Sequence, residues 1–192
     1  CATVTATIPG GVSLVSIQVA GTGQEKEYGN LIIVSGRSQQ SDEEEKLSNF
    51  CKLMAKEIYE GFFYANFTHE DIYYLSSYGQ QQLFEQNIVD EQIEFTDNLG
   101  VQSVQTAITD WAKNQENTGP LYIYLVDHGA NQQFLINPSS ILSAFQMDAF
   151  FDEFQKTGRS VVLVVEACHS GTWVNETLQA ENRIIISSTN QL

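Results

Sequence analysis

Basic side chains are scarce in this chain. Nine lysines and arginines stand against 24 acidic residues, a formal charge of −15. That balance argues against a nucleic-acid backbone or an anionic membrane surface as the main partner. Cysteine is scarcer still, with only Cys1, Cys51 and Cys168. An odd, low count is a poor disulfide framework, and without a CxxC pair a zinc ribbon is not expected. No apolar run reaches the ~18 residues of a membrane-spanning helix. The first residues lack the basic end and apolar centre of a signal peptide, so either the chain is cytosolic or a targeting segment has been removed. Cys1 reads as a cut end rather than a lipidated cysteine. No internal repeat or low-complexity tract appears.

What is present is a chain of 192 residues, 42% hydrophobic, enough to bury the core of one domain with a piece of another attached. Residues 1–28 stand apart. Their short β-branched runs, split by "PGG", read as a β-hairpin, either the tail of an upstream β-sandwich domain or an edge hairpin, followed by a linker. From Leu31 the pattern alternates. Strands are predicted at 31–36, 70–77, 120–129, 160–171 and 182–189, and helices at 41–62, 101–114 and 143–158. In the first helix Ser41 or Asp42 is placed to cap, acids fill the first turn, and Leu47, Phe50, Cys51 and Met54 are assigned to one apolar face. Residues 78–100 are polar without a clear period. Continuous apolar strands alternating with amphipathic helices indicate an α/β domain with a mostly parallel sheet covered on both faces.

Such sheets bind ligands beyond the carboxyl ends of their strands. Two residues able to do chemistry fall there, His128 in "LVDHG" and Cys168 in "VVEACHSG". If the two strands are neighbours, an imidazole and a thiol emerge side by side. A thiol becomes a strong nucleophile as the thiolate, which an imidazole helps to generate, and the imidazole can return the proton to a leaving amine. Gly129 and Gly171 leave room for a substrate backbone, and the amides of Gly129 and Cys168 are placed to face a developing oxyanion. Taken singly, a cysteine ending a strand is more often a small core residue, and a histidine after one a loop residue. Their coincidence on successive strands carries the reading. His169 is a weaker base candidate, because successive side chains of an extended segment point opposite ways. His69 reads as a loop cap. A zinc site from His128, Cys168 and His169 lacks a visible fourth ligand.

The pair "YIYLVDHGA" and, about forty residues later, "VVLVVEACHSGTW" resembles the legumain-type cysteine peptidases, within the wider caspase-like group, and a bacterial member is expected. The similarity extends over residues 31–190. It implies a caspase-like three-layer α/β/α sandwich and peptide cleavage by a Cys-His dyad, with neither metal nor organic cofactor. By this resemblance His128 matches the catalytic histidine, Cys168 the nucleophile and Gly129 the oxyanion-hole glycine. Glu166 matches a glutamate lining the specificity pocket and, two residues before Cys168, is expected on the same strand face. Asp127 matches the acid before the histidine, and Ser170 and Gly171 match the turn. The family's pocket arginine has only a weak counterpart in Arg37, within "GRSQQSDEEEK".

The expected organisation is therefore a β segment over 1–28 and a peptidase domain over 29–192 that lacks a C-terminal strand, through truncation or through cleavage into a larger and a smaller fragment. The substrate is expected to be a protein or peptide cut after asparagine or a basic residue, with no nucleic acid and no membrane insertion. The upstream segment suggests a secreted or cell-envelope protein, with the cytoplasm as the alternative. Transamidases share the dyad. A non-catalytic binding module on the same scaffold, an adhesin fragment with Cys168 in its core, and a thiol redox protein are the other readings.

Overall fold

Apolar runs rich in Val, Ile and Leu make the centre of the molecule, because strands covered on both faces have no side free for polar residues. The computed structural model describes residues 28–36, 42–77, 93–95, 99–174 and 178–190. Strands β1 (Asn30–Ser35), β2 (Ile72–Ser76), β3 (Ile93–Phe95), β4 (Leu121–Val126), β8 (Val161–Glu166) and β9 (Arg183–Ser187) form one six-stranded sheet in the order β3-β2-β1-β4-β8-β9. Every pairing in it is parallel. The chain builds outward from β1 to β3, then returns to the other side of β1 with β4. The carboxyl ends of β1 and β4 are therefore a topological switch point, where such folds open a crevice.

Period two divides the strand residues between two layers. Ile32, Val34, Ile123, Leu125, Leu163 and Val165 join the core that includes Val104, Ile108, Met147, Phe151 and Phe154. The last five belong to a helical stretch running from α2 (Val101–Thr106) through a π turn (Ala107–Trp111) and a final 3-10 turn (Ala112–Asn114), and to α3 (Ala144–Gln155). Leu31, Ile33, Ile72, Tyr74 and Val126 face the opposite way, onto Cys51, Ala55 and Tyr59 of α1 (Asp42–Tyr64). The result is a three-layer α/β/α sandwich. No helix among the described residues is long and apolar enough to cross a membrane.

Several expectations need correction. The buried stripe of α1 runs through Cys51, Ala55 and Tyr59, while Phe50 is 56% exposed. A residue adjacent to the stripe is rotated about 100° around the helix, enough to carry Phe50 off it. Within 78–100, read as featureless, β3 extends the sheet beyond β2. Between β4 and α3 lies a small antiparallel sheet that the pattern did not signal: β5 (Gly129–Ala130), β6 (Gln133–Asn137) and β7 (Ser140–Ser143), in that order. Its strands are short and polar apart from Phe134, Leu135, Ile136, Ile141 and Leu142, so alternation has little length in which to appear. The β-hairpin expected in 1–28, Arg37 and the Ser41 cap lie outside the described residues, except for Tyr28.

At the amino ends of the strands one cation holds three segments. Arg159 is 7% exposed. It donates to the carbonyls of Gly119 (2.8 Å) and Ala112 (2.9 Å) and to Oδ1 of Asn30 (2.7 Å), with its guanidinium 5.0 Å from the Phe154 ring centre. Burial lowers its pKa. Arg159→Ala should cost about 3 kcal/mol, because it strips buried acceptors of a charged donor. Urea denaturation would measure this, and an unchanged midpoint would refute the role.

Candidate active site

The site begins where β4 and β8 end. Their register pairs Val126 with Glu166, and the ladder continues one step as the Asp127 amide donates to the Glu166 carbonyl at 3.2 Å. Two residues past that pair on each strand are His128 and Cys168. The strands expected to be neighbours are neighbours, and both corners leave the sheet at the same edge.

Gly129 shows how close the corners come. A Cβ there would lie 2.6 Å from the Cys168 carbonyl oxygen, 2.9 Å from Ala167 Cβ and 3.1 Å from the Gln133 carbonyl oxygen. Real Cβ contacts under 3.0 Å essentially never occur, and the nearest of these neighbours is a backbone oxygen. Glycine is required here by the close approach of two chain segments.

Asp127 is almost fully buried and accepts the His128 backbone N–H at 2.7 Å. Its Oδ1 lies 3.8 Å from His128 Nε2, beyond hydrogen-bond length. That nitrogen is buried with no hydrogen-bond partner among the described residues. Asp127 thus shapes the histidine corner by holding the His128 backbone. Beside His128 opens a cleft of about 150 Å³ lined by His128, Gly129, Ala130, Gln133, Leu135 and Ile141. The unanticipated small sheet supplies all of this wall except His128.

On the other corner, Cys168 is exposed and unbonded to any disulfide partner. The only other cysteine among the described residues, Cys51, is buried, as expected. Burial, followed by the charges of Asp127, Cys168 and Glu166, pushes the Cys51 thiol up to about 12. Cys51 therefore stays protonated and inert at neutral pH, leaving Cys168 as the accessible nucleophile of the pair.

Strand β8 stops at Glu166, and the backbone then turns. The period-two argument that set Glu166 and Cys168 on one face does not extend to Cys168. The same turn replaces the reason given against His169, which is exposed and has a left-handed backbone (φ 58°) rather than an extended one. His69 lies in a 3-10 turn (His69–Asp71), where its Nδ1 is 2.6 Å from the Tyr59 hydroxyl.

A 3-10 turn (Ser170–Trp173) follows the cysteine, with Trp173 fully buried as its anchor. Ser170 is also buried, and its Oγ accepts the Thr189 N–H at 3.0 Å and lies 3.4 Å from Ser188 Oγ. Burial pushes the Glu166 carboxyl up, and a hydrogen bond from Ser188 partly offsets this. Ser188 and Thr189, at the end of β9, were missed by sequence reasoning. Their only signal was a run of small hydroxyl residues closing an apolar strand. Arg37 lies outside the described residues, so its position relative to Glu166 has no structural account.

Among curated proteins no match to the chain was found. The Peptidase C13 family, however, matches residues 52–192, which takes in both strand-end motifs.

Two expectations follow from this geometry. Gly129→Ala should push the two corners apart, slowing carboxamidomethylation of Cys168 at neutral pH and costing about 1–3 kcal/mol of stability through overpacking. Labelling kinetics and denaturation would check both, and a variant matching wild type in both would rule out the tight contact. Glu166, with a raised native pKa, binds its proton more tightly when folded. Stability therefore falls as pH rises from the unfolded value of about 4.3 through the native one, and stays low above it. Glu166→Gln should melt higher than wild type at neutral pH, with the gap closing in acid. A melting series across pH would show a constant gap if the carboxyl were unperturbed.

The parallel sheet between helical layers, the strand-end corners and the sequence match together make this chain a member of the peptidase C13 family, the legumain family of cysteine peptidases.

Proposed function

We propose that the chain is a cysteine endopeptidase in which Cys168 is the nucleophile and His128 the proton carrier. The observation that carries this reading is the packing of Gly129 against the Cys168 carbonyl, which joins the histidine corner to an exposed thiol. The Cys168 thiolate attacks the scissile carbonyl, and the tetrahedral oxyanion accepts hydrogen bonds from the Gly129 and Cys168 amides. His128 gives its proton to the leaving amine as the C–N bond breaks, leaving a thioester. Water, deprotonated by His128, attacks that thioester, and the acid product leaves with the thiol restored. Asp127 holds the histidine corner through these steps by accepting the His128 backbone N–H.

Glu166 is the proposed selector of the residue before the cut. A half-buried carboxyl disfavours a second carboxylate and accepts hydrogen bonds from an amide or a cation. Asparagine, arginine and lysine thus rank above aspartate, with Arg37 as a further substrate-binding candidate; the Asp127 side chain, expected there too, is fully buried and holds the His128 backbone instead.

A peptide-library digest read by mass spectrometry tests the proposal. Wild type should cleave and Cys168→Ala should not, while His128→Ala should lose about a thousandfold in rate. Glu166→Gln should lower cleavage after lysine and arginine relative to asparagine. Including a primary amine separates hydrolysis from transamidation, since a transamidase would yield the amine-capped product. Equal cleavage by wild type and Cys168→Ala would end the proposal.

A further inference from the structure

Two non-glycine residues of the active edge have left-handed backbone, Gln132 with φ 54° and His169 with φ 58°. Such residues are uncommon and persist where their surroundings hold them. These two lie on different segments. Gln132 is at the tip between β5 and β6, four residues after His128, and His169 directly follows Cys168.

One side chain bonds to both. The Thr172 hydroxyl donates to the His169 carbonyl at 2.7 Å and accepts the Gln132 backbone N–H at 2.8 Å. The Thr172 N–H reaches the same His169 carbonyl at 3.0 Å. Thr172 is itself held, because its neighbours Gly171 and Trp173 are buried. The hairpin tip is fixed from the other side as well, since the Gln132 carbonyl accepts the Ala144 N–H at the start of α3 (3.0 Å). The hydroxyl therefore bridges the loop after His128 and the turn after Cys168, donating to one and accepting from the other. Serine offers the same two functions, whereas valine and alanine offer neither.

We propose that Thr172 is a positioning residue that sets the spacing of the histidine hairpin and the cysteine turn, and through it the alignment of His128 with Cys168. The proposal rests on the peptidase reading for its hydrolysis readout alone. The bonds lie at the exposed surface, so water replaces them when they are lost and global stability changes little. Alignment has no such replacement, and small misplacements of reacting groups are costly in rate.

The test compares wild type with Thr172→Val, Thr172→Ala and Thr172→Ser. It reads kcat and KM on a peptide chosen from the library digest, and the pH profile of Cys168 carboxamidomethylation located by mass spectrometry. Valine and alanine should lower kcat about 10- to 100-fold, with KM within about twofold. They should also shift the alkylation profile away from that of wild type. Serine should restore both. Valine and alanine variants with wild-type kcat and alkylation profile would overturn the proposal, as would a serine variant as impaired as valine. Using both valine and alanine guards against a folding defect peculiar to the branched side chain. If wild type hydrolyses no peptide, the peptidase reading falls, and the alkylation profiles alone decide the role of Thr172.

Discussion

The contact between Gly129 and the Cys168 carbonyl is the constraint on which the active edge depends. It exists because β4 and β8 are parallel neighbours in a register that pairs Val126 with Glu166. A one-residue slip of that register would exchange the faces of every strand side chain and break both helix-facing cores. The cores therefore enforce the register, and the register brings the two corners together. Positioning at the site is a consequence of burial in the cores on the two faces of the sheet.

The two strand ends differ in how they are held. The histidine corner is closed by a buried acid in its own backbone and extended by a small antiparallel sheet. The cysteine corner is a short turn tied on two sides, through Ser170 to the end of β9 and through Thr172 to the histidine hairpin. Hydroxyl groups make most of these ties. A hydroxyl can donate and accept at one atom, so a single small side chain can bridge two backbones without adding charge near a nucleophile.

Among the described residues, electrostatics around the edge are one-sided. Asp127 and Glu166 both lie near the ends of β4 and β8, and among the described residues the Ser188 hydroxyl is the hydrogen-bond contact of Glu166. A buried acid beside an imidazole and a half-buried one at the end of β8 have different consequences. The first closes the histidine corner by accepting the His128 N–H, and the second is costly to ionise. The same negative surroundings, added to burial, keep Cys51 protonated.

Much of this architecture was legible in the sequence. Long β-branched runs alternating with amphipathic helices gave a parallel sheet between helices, because strands buried on both faces have no other composition available to them. The two strand-end motifs marked the edge where β4 and β8 end side by side, since ligands in such sheets bind at the carboxyl ends. The tertiary structure alone decided the rest. Periodicity does not encode which strands become neighbours, so the closeness of Gly129 to Cys168 appears only after folding. Strands β5 to β7 are too short for alternation to rise above background, and β3 is a three-residue edge. The place of Phe50 depended on how α1 rotates over the sheet. Ser170, Thr172, Ser188 and Thr189 are ordinary polar residues along the chain and gain meaning through partners far from them in sequence, because a hydrogen bond between distant backbones is a property of the fold and leaves no periodic trace.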